Sequence, residues 1–416
     1  MHCSRHDAAV GESCGRHGDK LQRPVTAARG TELDFRQYDA HPFAHTCAMN
    51  TAFLNTQAVE AWDTWFRWRE RGQLRDLTIE ATWKRITGCL TANAPATGRA
   101  EYSHRLIDAF TRWSLLLDAR ILATAGTANP YWQGEDLVAV LNVAAFVRSP
   151  GQTHASLDFA SVEDTAALAV YALDDAAMVG APRQRGGDPS ANVDTDCRLR
   201  VGLVGLADAL ASLGAAYDSE DGRRHARLVA QSLANGCLAG CIALARDRGA
   251  RATCGDQWKQ QALQRSYPLE LVEGANRYGL RYSALTSITS QPRLAMFANN
   301  VADAVDPLPI DAAAQLRGSV TSRRVAGNAA GGNGNSLAME SDEPGTSVPA
   351  QLRMRAALQP WIDERICYPA TLAGQPDIAA VNEWNGLSER FNLGSLTLRA
   401  AQGKSQGGTQ PDQPSR

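Results

Sequence analysis

Apolar positions change period several times along the chain, and the changes mark its elements. From Ala52 to Glu70 the residues Phe53, Leu54, Val59, Trp62, Trp65 and Phe66 fall on one helical face, with Arg67, Arg69 and Glu70 toward water. A second helix is predicted from Leu77 to Leu90, opened near Thr78, and a third from Arg99 to Leu117 with Leu106, Phe110, Trp113 and Leu117 on its core stripe. Asp136 to Val147 is a nearly continuous apolar run, the pattern of a buried strand or short buried helix, and it carries one amide, Asn142. Ser161 to Asp175 reads as a helix and Ala181 to Arg198 as a long polar loop. Leu199 to Leu210 begins as a strand containing Gly202, meets Gly205, and passes into a helix ending at Gly214. Gly222 to Arg248 has the strongest helical period, through Val229, Leu233, Cys237, Cys241 and Leu244, and Gly249 closes it. Arg281 to Val305 combines Tyr282, Leu285 and Ile288 with a polar loop, Thr289 to Arg293, and a short apolar element. Leu352, Ala356, Trp361 and Ile362 mark a late helix.

These elements predict an organisation. Residues 1–50 have no sustained period and read as a poorly ordered arm, 51–128 as a helical unit, 129–320 as the core, 321–349 as a Gly/Asn/Ser-rich connector, 350–400 as a last ordered segment and 401–416 as a frayed tail. The chain has 416 residues, 44% of them hydrophobic, enough to bury a large core. Its 42 basic and 44 acidic side chains leave a net charge of −2, which excludes non-specific attraction to nucleic acid or an anionic membrane. Met1 to Asp7 lacks the apolar core of a secretion signal, and Leu137 to Val147 is too short to span a bilayer, so the expected location is cytoplasmic.

Candidate chemistry is sparse. Trp62, Trp65 and Trp68 suggest a ligand platform, but tryptophans at helical spacing more often anchor a helix to a core. Cys237 and Cys241 stand one turn apart without a third ligand, the pattern of buried thiols on an apolar stripe. Cys3, Cys14 and Cys47 lie among His2, His6, His17, His41 and His45 without the paired spacing of a zinc module. Gly202 and Gly205 give GxxG, not the GxGxxG of a dinucleotide fold. No catalytic triad, P-loop or paired-carboxylate motif is present, and pattern alone leaves a large α/β or α+β protein.

Further residues carry a resemblance. Arg200-Val201-Gly202-Leu203-Val204-Gly205-Leu206-Ala207-Asp208, followed by Leu213-Gly214 and Tyr217-Asp218-Ser219, resembles a collinear stretch in the large catalytic subunit of ribonucleotide reductases, specifically the adenosylcobalamin-dependent class. Thr78-Ile79-Glu80 with Thr82 to Ile86, Ala119 to Thr127, Leu173-Asp174-Asp175, Leu285 to Pro307 and Met354 to Asp363 are similar to the family in the same order. The resemblance implies an α/β fold, an incomplete reductase-type barrel with a helical N-terminal unit. It further implies ribonucleotide substrates, adenosylcobalamin as cofactor and deoxyribonucleotide synthesis as the ancestral activity.

The departures from the family fall on its chemistry. Reduction at a ribose 2′-carbon requires a thiyl radical, a carboxylate and a dithiol. Aligned on Leu141 to Ala144, the position of a family reducing cysteine is Asp136, and after Asn129-Pro130 the radical-cysteine position holds Tyr131. Asn142 is retained. Between Thr127 and Asn129 the block with the early barrel strands and the other reducing cysteine is skipped, which predicts uncovered strand edges. Ser290-Gln291-Pro292-Arg293 replaces the family's small-residue phosphate loop; Pro292 removes an N–H donor while Arg293 offers a charge. Cys197, Cys237, Cys241 and Cys367 miss the family positions. The expectation is a catalytically defective relative with Gly202, Gly205, Ser290, Gln291, Arg293 and Asp306 as substrate-binding candidates. Its expected partners are a ribonucleotide or another phosphate ligand, and a reductase subunit or a second copy of the chain.

Overall fold

A computed structural model describes residues 51–128, 130, 132, 137–180, 198–252, 254–307, 346–372 and 374–400. Met49–Arg416 forms one compact unit. The expected arm, the polar loop at 181–197, most of the connector and the tail lie outside the described residues.

The chain opens with α1 (Thr56–Ala61) and a single wider turn, Trp62–Phe66. The helix predicted to continue to Glu70 stops there, because Arg67 is extended and β1 (Arg69–Glu70) folds back on β2 (Gln73–Leu74). Arg71 and Gly72, with φ of 49° and 80°, make the two-residue turn whose left-handed backbone matches hairpin twist. α2 (Ile79–Leu90) begins where Thr78 accepts the Ala81 N–H, as its sequence predicts. α3 (Ala96–Thr111) is shorter than expected: Trp113 takes φ 59°, and Leu115–Leu117 leaves the helical period to become β3. All three leucines are fully buried, so pairing in a sheet overrides their local helical preference.

After α4 (Ala119–Thr124) come β4 (Val138–Asn142), the hairpin β5 (Val147–Arg148) and β6 (Ser156–Leu157), and the long α5 (Phe159–Gly180). β7 (Arg198–Val204) leads into α6 (Leu206–Leu213) and α7 (Glu220–Arg248). α8 (Asp256–Arg265), α9 (Leu269–Tyr278), β8 (Ala284–Thr286) and α10 (Pro292–Phe297) follow. Pro292 occupies the first helical turn of α10, so the end of the predicted loop is helical. The last described part holds α11 (Val348–Leu358), β9 (Ala370–Leu372), α12 (Ile378–Arg390) and β10 (Leu398–Ala400).

The main sheet has the order β3-β4-β7-β8, with β3 antiparallel to β4 and the other pairings parallel. Its first strand comes from the segment expected to be a separate helical unit, so 128 is not a structural boundary. β9 and β10 form a parallel pair of their own. No closed barrel is present among the described residues, in keeping with an incomplete one.

The sheet's edges are less open than the skipped block predicts. Leu115–Leu117 on one edge are fully buried. On the other, the Leu285 and Thr286 N–H groups donate to Asp363 Oδ2 at 2.7 and 3.0 Å, and the Glu364 N–H donates to the Thr286 carbonyl at 3.2 Å. The segment after α11 thus takes the place of another strand along β8.

α5 packs on β3, β4 and β7, and α7 packs on α5 and β8. α7 is long and apolar enough to cross a membrane by length and composition, a segment the sequence reading, which weighed only Leu137 to Val147, passed over. Its apolar window is 83% buried within the protein, as in a core helix. Aromatic side chains join α10 to the N-terminal helices: Phe297 lies 4.6 Å from Phe66, 5.0 Å from Trp113 and 5.6 Å from Trp83, ring centre to ring centre. Trp62 is buried, while Trp65 and Trp68 are half-buried, which favours the anchoring reading of the tryptophans.

Candidate functional site

Parallel strands put their C-terminal ends on one side of a sheet, where the chain must turn and side chains are released from pairing. In this sheet those ends are Asn142 on β4, Val204-Gly205 on β7 and Ser287 onward after β8. Asn142 stands beside Val204 in the ladder, is 4% exposed, and donates its backbone N–H to the Ser114 carbonyl at 3.1 Å. Its side-chain Oδ1 is buried without a hydrogen-bond partner. Such an orphan costs about 1–3 kcal/mol.

Gly205 explains where that amide sits. With φ +71° it turns β7 into α6, and a Cβ there would come within 2.5 Å of Asn142 Oδ1. Its N–H donates to the Ala302 carbonyl at 2.8 Å, while the Ala302 N–H donates to Asp208 Oδ2 at 2.7 Å. The segment 301–306 is therefore laced to the start of α6. Burial raises the Asp208 carboxyl above its ordinary range. Gly202 sits one pleat earlier, and a Cβ there would lie 2.4 Å from the Ser287 carbonyl oxygen. That glycine permits the close approach of the two backbones.

The loop after β8 turns inward. The Ser290 hydroxyl donates to Asp303 Oδ2, the Gln291 N–H donates to Asp303 Oδ1 at 2.5 Å, and Gln291 Nε2 donates to Thr289 Oγ1 at 3.0 Å. Burial raises the Asp303 carboxyl despite these bonds. Asp306, three residues on, pairs with Arg355 and accepts the Tyr217 hydroxyl at 2.9 Å. Arg355, 2% exposed, donates to the Tyr368 carbonyl at 2.7 Å and lies 3.8 Å above the Tyr368 ring. A cavity of about 30 Å³ lies between Asp303, Asp306, Tyr368, Thr371 and Arg399.

The candidates thus divide. Asn142 and Gly205 touch, Ser290 and Gln291 share Asp303, and Asp306 shares a cavity wall with Asp303. Arg293 does not join them: exposed on α10, its guanidinium lies 5.6 Å from the Trp65 ring centre. Tyr131 and Asp136 lie outside the described residues. Asp303, Tyr217, Arg355 and Tyr368 escaped the sequence reading as site residues. Their signal is a charge set among apolar neighbours, Arg355 within Met354 to Leu358 and Asp303 and Asp306 within Val301 to Pro307.

One buried thiol lies at the other end of β8. Cys241 on α7 accepts the Tyr282 N–H at 3.4 Å, and Tyr282 precedes β8, at the opposite end of that strand from Ser287. Burial pushes Cys241 up to about 12 and Cys237 well above the usual thiol range, so both are neutral near pH 7. Cys367 is exposed, with its thiol toward the Ser395 carbonyl at 3.5 Å. Among the described residues no group of three His, Cys, Asp or Glu side chains is placed to hold a metal. The arrangement offers hydrogen-bond donors, acceptors and charge.

Comparison with known protein families finds a match to part of the chain. Residues 137–308, from the foot of β4 through Asp306, match the family described as ribonucleotide reductase, barrel domain. Over those residues the chain is similar to the reductase large subunit. No curated protein matches the chain.

Proposed function

We propose that this chain is a divergent relative of the ribonucleotide reductase large subunit, of the adenosylcobalamin-dependent line, that no longer reduces nucleotides by itself. One observation carries the reading: the residues at the C-terminal ends of β4, β7 and β8, Asn142, Val204-Gly205 and Ser287 to Ser290, include no cysteine. The sequence supports it, since no cysteine occurs between Cys89 and Cys197, the interval containing β4 and the positions Tyr131 and Asp136. A tyrosine or a carboxylate cannot complete the dithiol–disulfide exchange that the ancestral reaction uses.

Adenosylcobalamin would supply a carbon-centred radical for a cysteine to take up. The residues present do not fit that group: no cysteine stands at the C-terminal ends of β4, β7 and β8, and the cavity beside Asp303 holds about 30 Å³, the scale of a water molecule. No step is assigned to it.

A ligand-binding role without turnover is favoured by Asn142. A ribonucleotide or another polar ligand with an N–H or O–H group would satisfy its orphaned oxygen. The test combines a cobalamin absorbance titration with assays of nucleoside di- and triphosphate reduction in the presence of a dithiol. The expected result is an unchanged cobalamin spectrum and no deoxynucleotide. Dithiol-dependent deoxynucleotide formation would overturn the proposal.

A further inference from the structure

We propose that the Asp303 carboxylate is a built-in anion that occupies the Thr289–Gln291 loop and shuts phosphate-bearing ligands out of the cavity beside it. Each of its oxygens takes one donor from the loop, Oδ2 the Ser290 hydroxyl and Oδ1 the Gln291 N–H at 2.5 Å. The loop is braced in that shape by the bond from Gln291 Nε2 to Thr289 Oγ1. This is how a small oxyanion is chelated, with the carboxylate supplied by the chain itself.

The rest of the cavity wall suits the same guest. Arg399 lines it, and its positive charge acts on Asp303. Tyr368, 7% exposed, lines it as well, its hydroxyl buried beside Asp306. The second acid in the wall, Asp306, has its charge met by Arg355. With Asp303 removed, the Ser290 hydroxyl and the Gln291 N–H lose their acceptor beside a wall that carries the Arg399 guanidinium. With Asp303 in place, an incoming phosphate meets a like charge in a space of about 30 Å³.

This inference does not rest on the loss of reduction, and its probe is inorganic phosphate rather than a nucleotide. The experiment measures phosphate binding to the full chain by titration calorimetry at pH 7.5 for wild type, Asp303→Ala and Asp303→Asn. Asp303→Ala should bind at least tenfold tighter than wild type, Asp303→Asn should show a smaller gain, and adding Ser290→Ala to Asp303→Ala should remove the gain. A folded Asp303→Ala no tighter than wild type, or a gain that survives Ser290→Ala, overturns the proposal. Should Asp303→Ala fail to fold, the near-isosteric Asp303→Asn decides, and no gain there overturns it equally.

Discussion

Two aspartate clusters sit at opposite ends of β8, and they are built on different principles. Before the strand, Asp174 on α5 accepts Arg281 Nε at 2.8 Å and the Tyr282 hydroxyl at 2.6 Å, and also pairs with Arg248. Its neighbour Asp175 pairs with Arg248 at 2.8 Å and accepts the Tyr102 hydroxyl at 2.6 Å. After the strand, Asp303 is chelated by a loop, Asp306 leans on one arginine, and Arg355 Nε is buried without a hydrogen-bond partner. The first cluster clamps three helices to the start of a strand. The second leaves a donor unspent beside a cavity. Each cluster keeps a buried polar atom without a hydrogen-bond partner, Asp175 Oδ1 in the first and Arg355 Nε in the second, but the second also borders a cavity, where a ligand or a switch can act.

The largest test of that contrast is thermodynamic. Asp174→Ala strands Arg281, 6% exposed, and should destabilise by about 3–5 kcal/mol in urea unfolding. Asp303→Ala frees a half-buried loop contact and should cost about 1 kcal/mol. Equal losses would break the comparison.

A smaller effect is expected at Gly205. An alanine there must adopt a left-handed backbone at about 1–2 kcal/mol and also press on Asn142 Oδ1. Adding Asn142→Ala should restore part of the loss, with a coupling of about 0.5–3 kcal/mol in a double-mutant cycle. Strict additivity would show that the two residues are not in contact.

The smallest effect is in pH dependence, where the clusters should differ in sign. Burial opposes ionisation of Asp174, but the hydrogen bonds from Tyr282 and Arg281 outweigh it and its carboxyl is lowered below 3.8. Its contribution is therefore present above the ordinary carboxylate pKa and lost as pH falls through the folded value. Burial raises Asp303 above 3.8, against Ser290, Gln291 and Arg399 and with Asp306 adding to the rise. Folded protein then holds that proton more tightly than the unfolded chain, so stability from Asp303 is greatest at low pH and declines as pH rises through its folded value. Stability measured from pH 3 to 7 should lose part of its acid fall in Asp174→Asn, while Asp303→Asn should lose a fall of opposite slope.

Much of the fold is written locally. Thr78 and Ser219 cap α2 and α7 with side-chain oxygens, and Gly249 ends α7, so period and caps agree with the helices. Leu115–Leu117 was illegible as a strand because its partner, β4, lies beyond α4 in sequence and supplies the pairing that local preference does not. The turn at Arg71-Gly72 was hidden by apolar spacing that continues past it. In the site, Asn142 stood out as an amide in an apolar run and Gly205 as a glycine between strand and helix. The pairing of Asp306 with Arg355 spans 49 positions, and no local pattern announces it.

The contact of Asp363 with β8 has a consequence for biosynthesis. Leu285 and Thr286 meet their acceptor 78 and 77 positions later. At roughly 5–20 residues per second a ribosome takes about 4–16 s to deliver it. During that interval the nascent strand carries unpaired amides, and a chain arrested before Asp363 keeps them permanently. Chaperone residence on the nascent polypeptide, and clearance of prematurely terminated products, should both concentrate on that stretch.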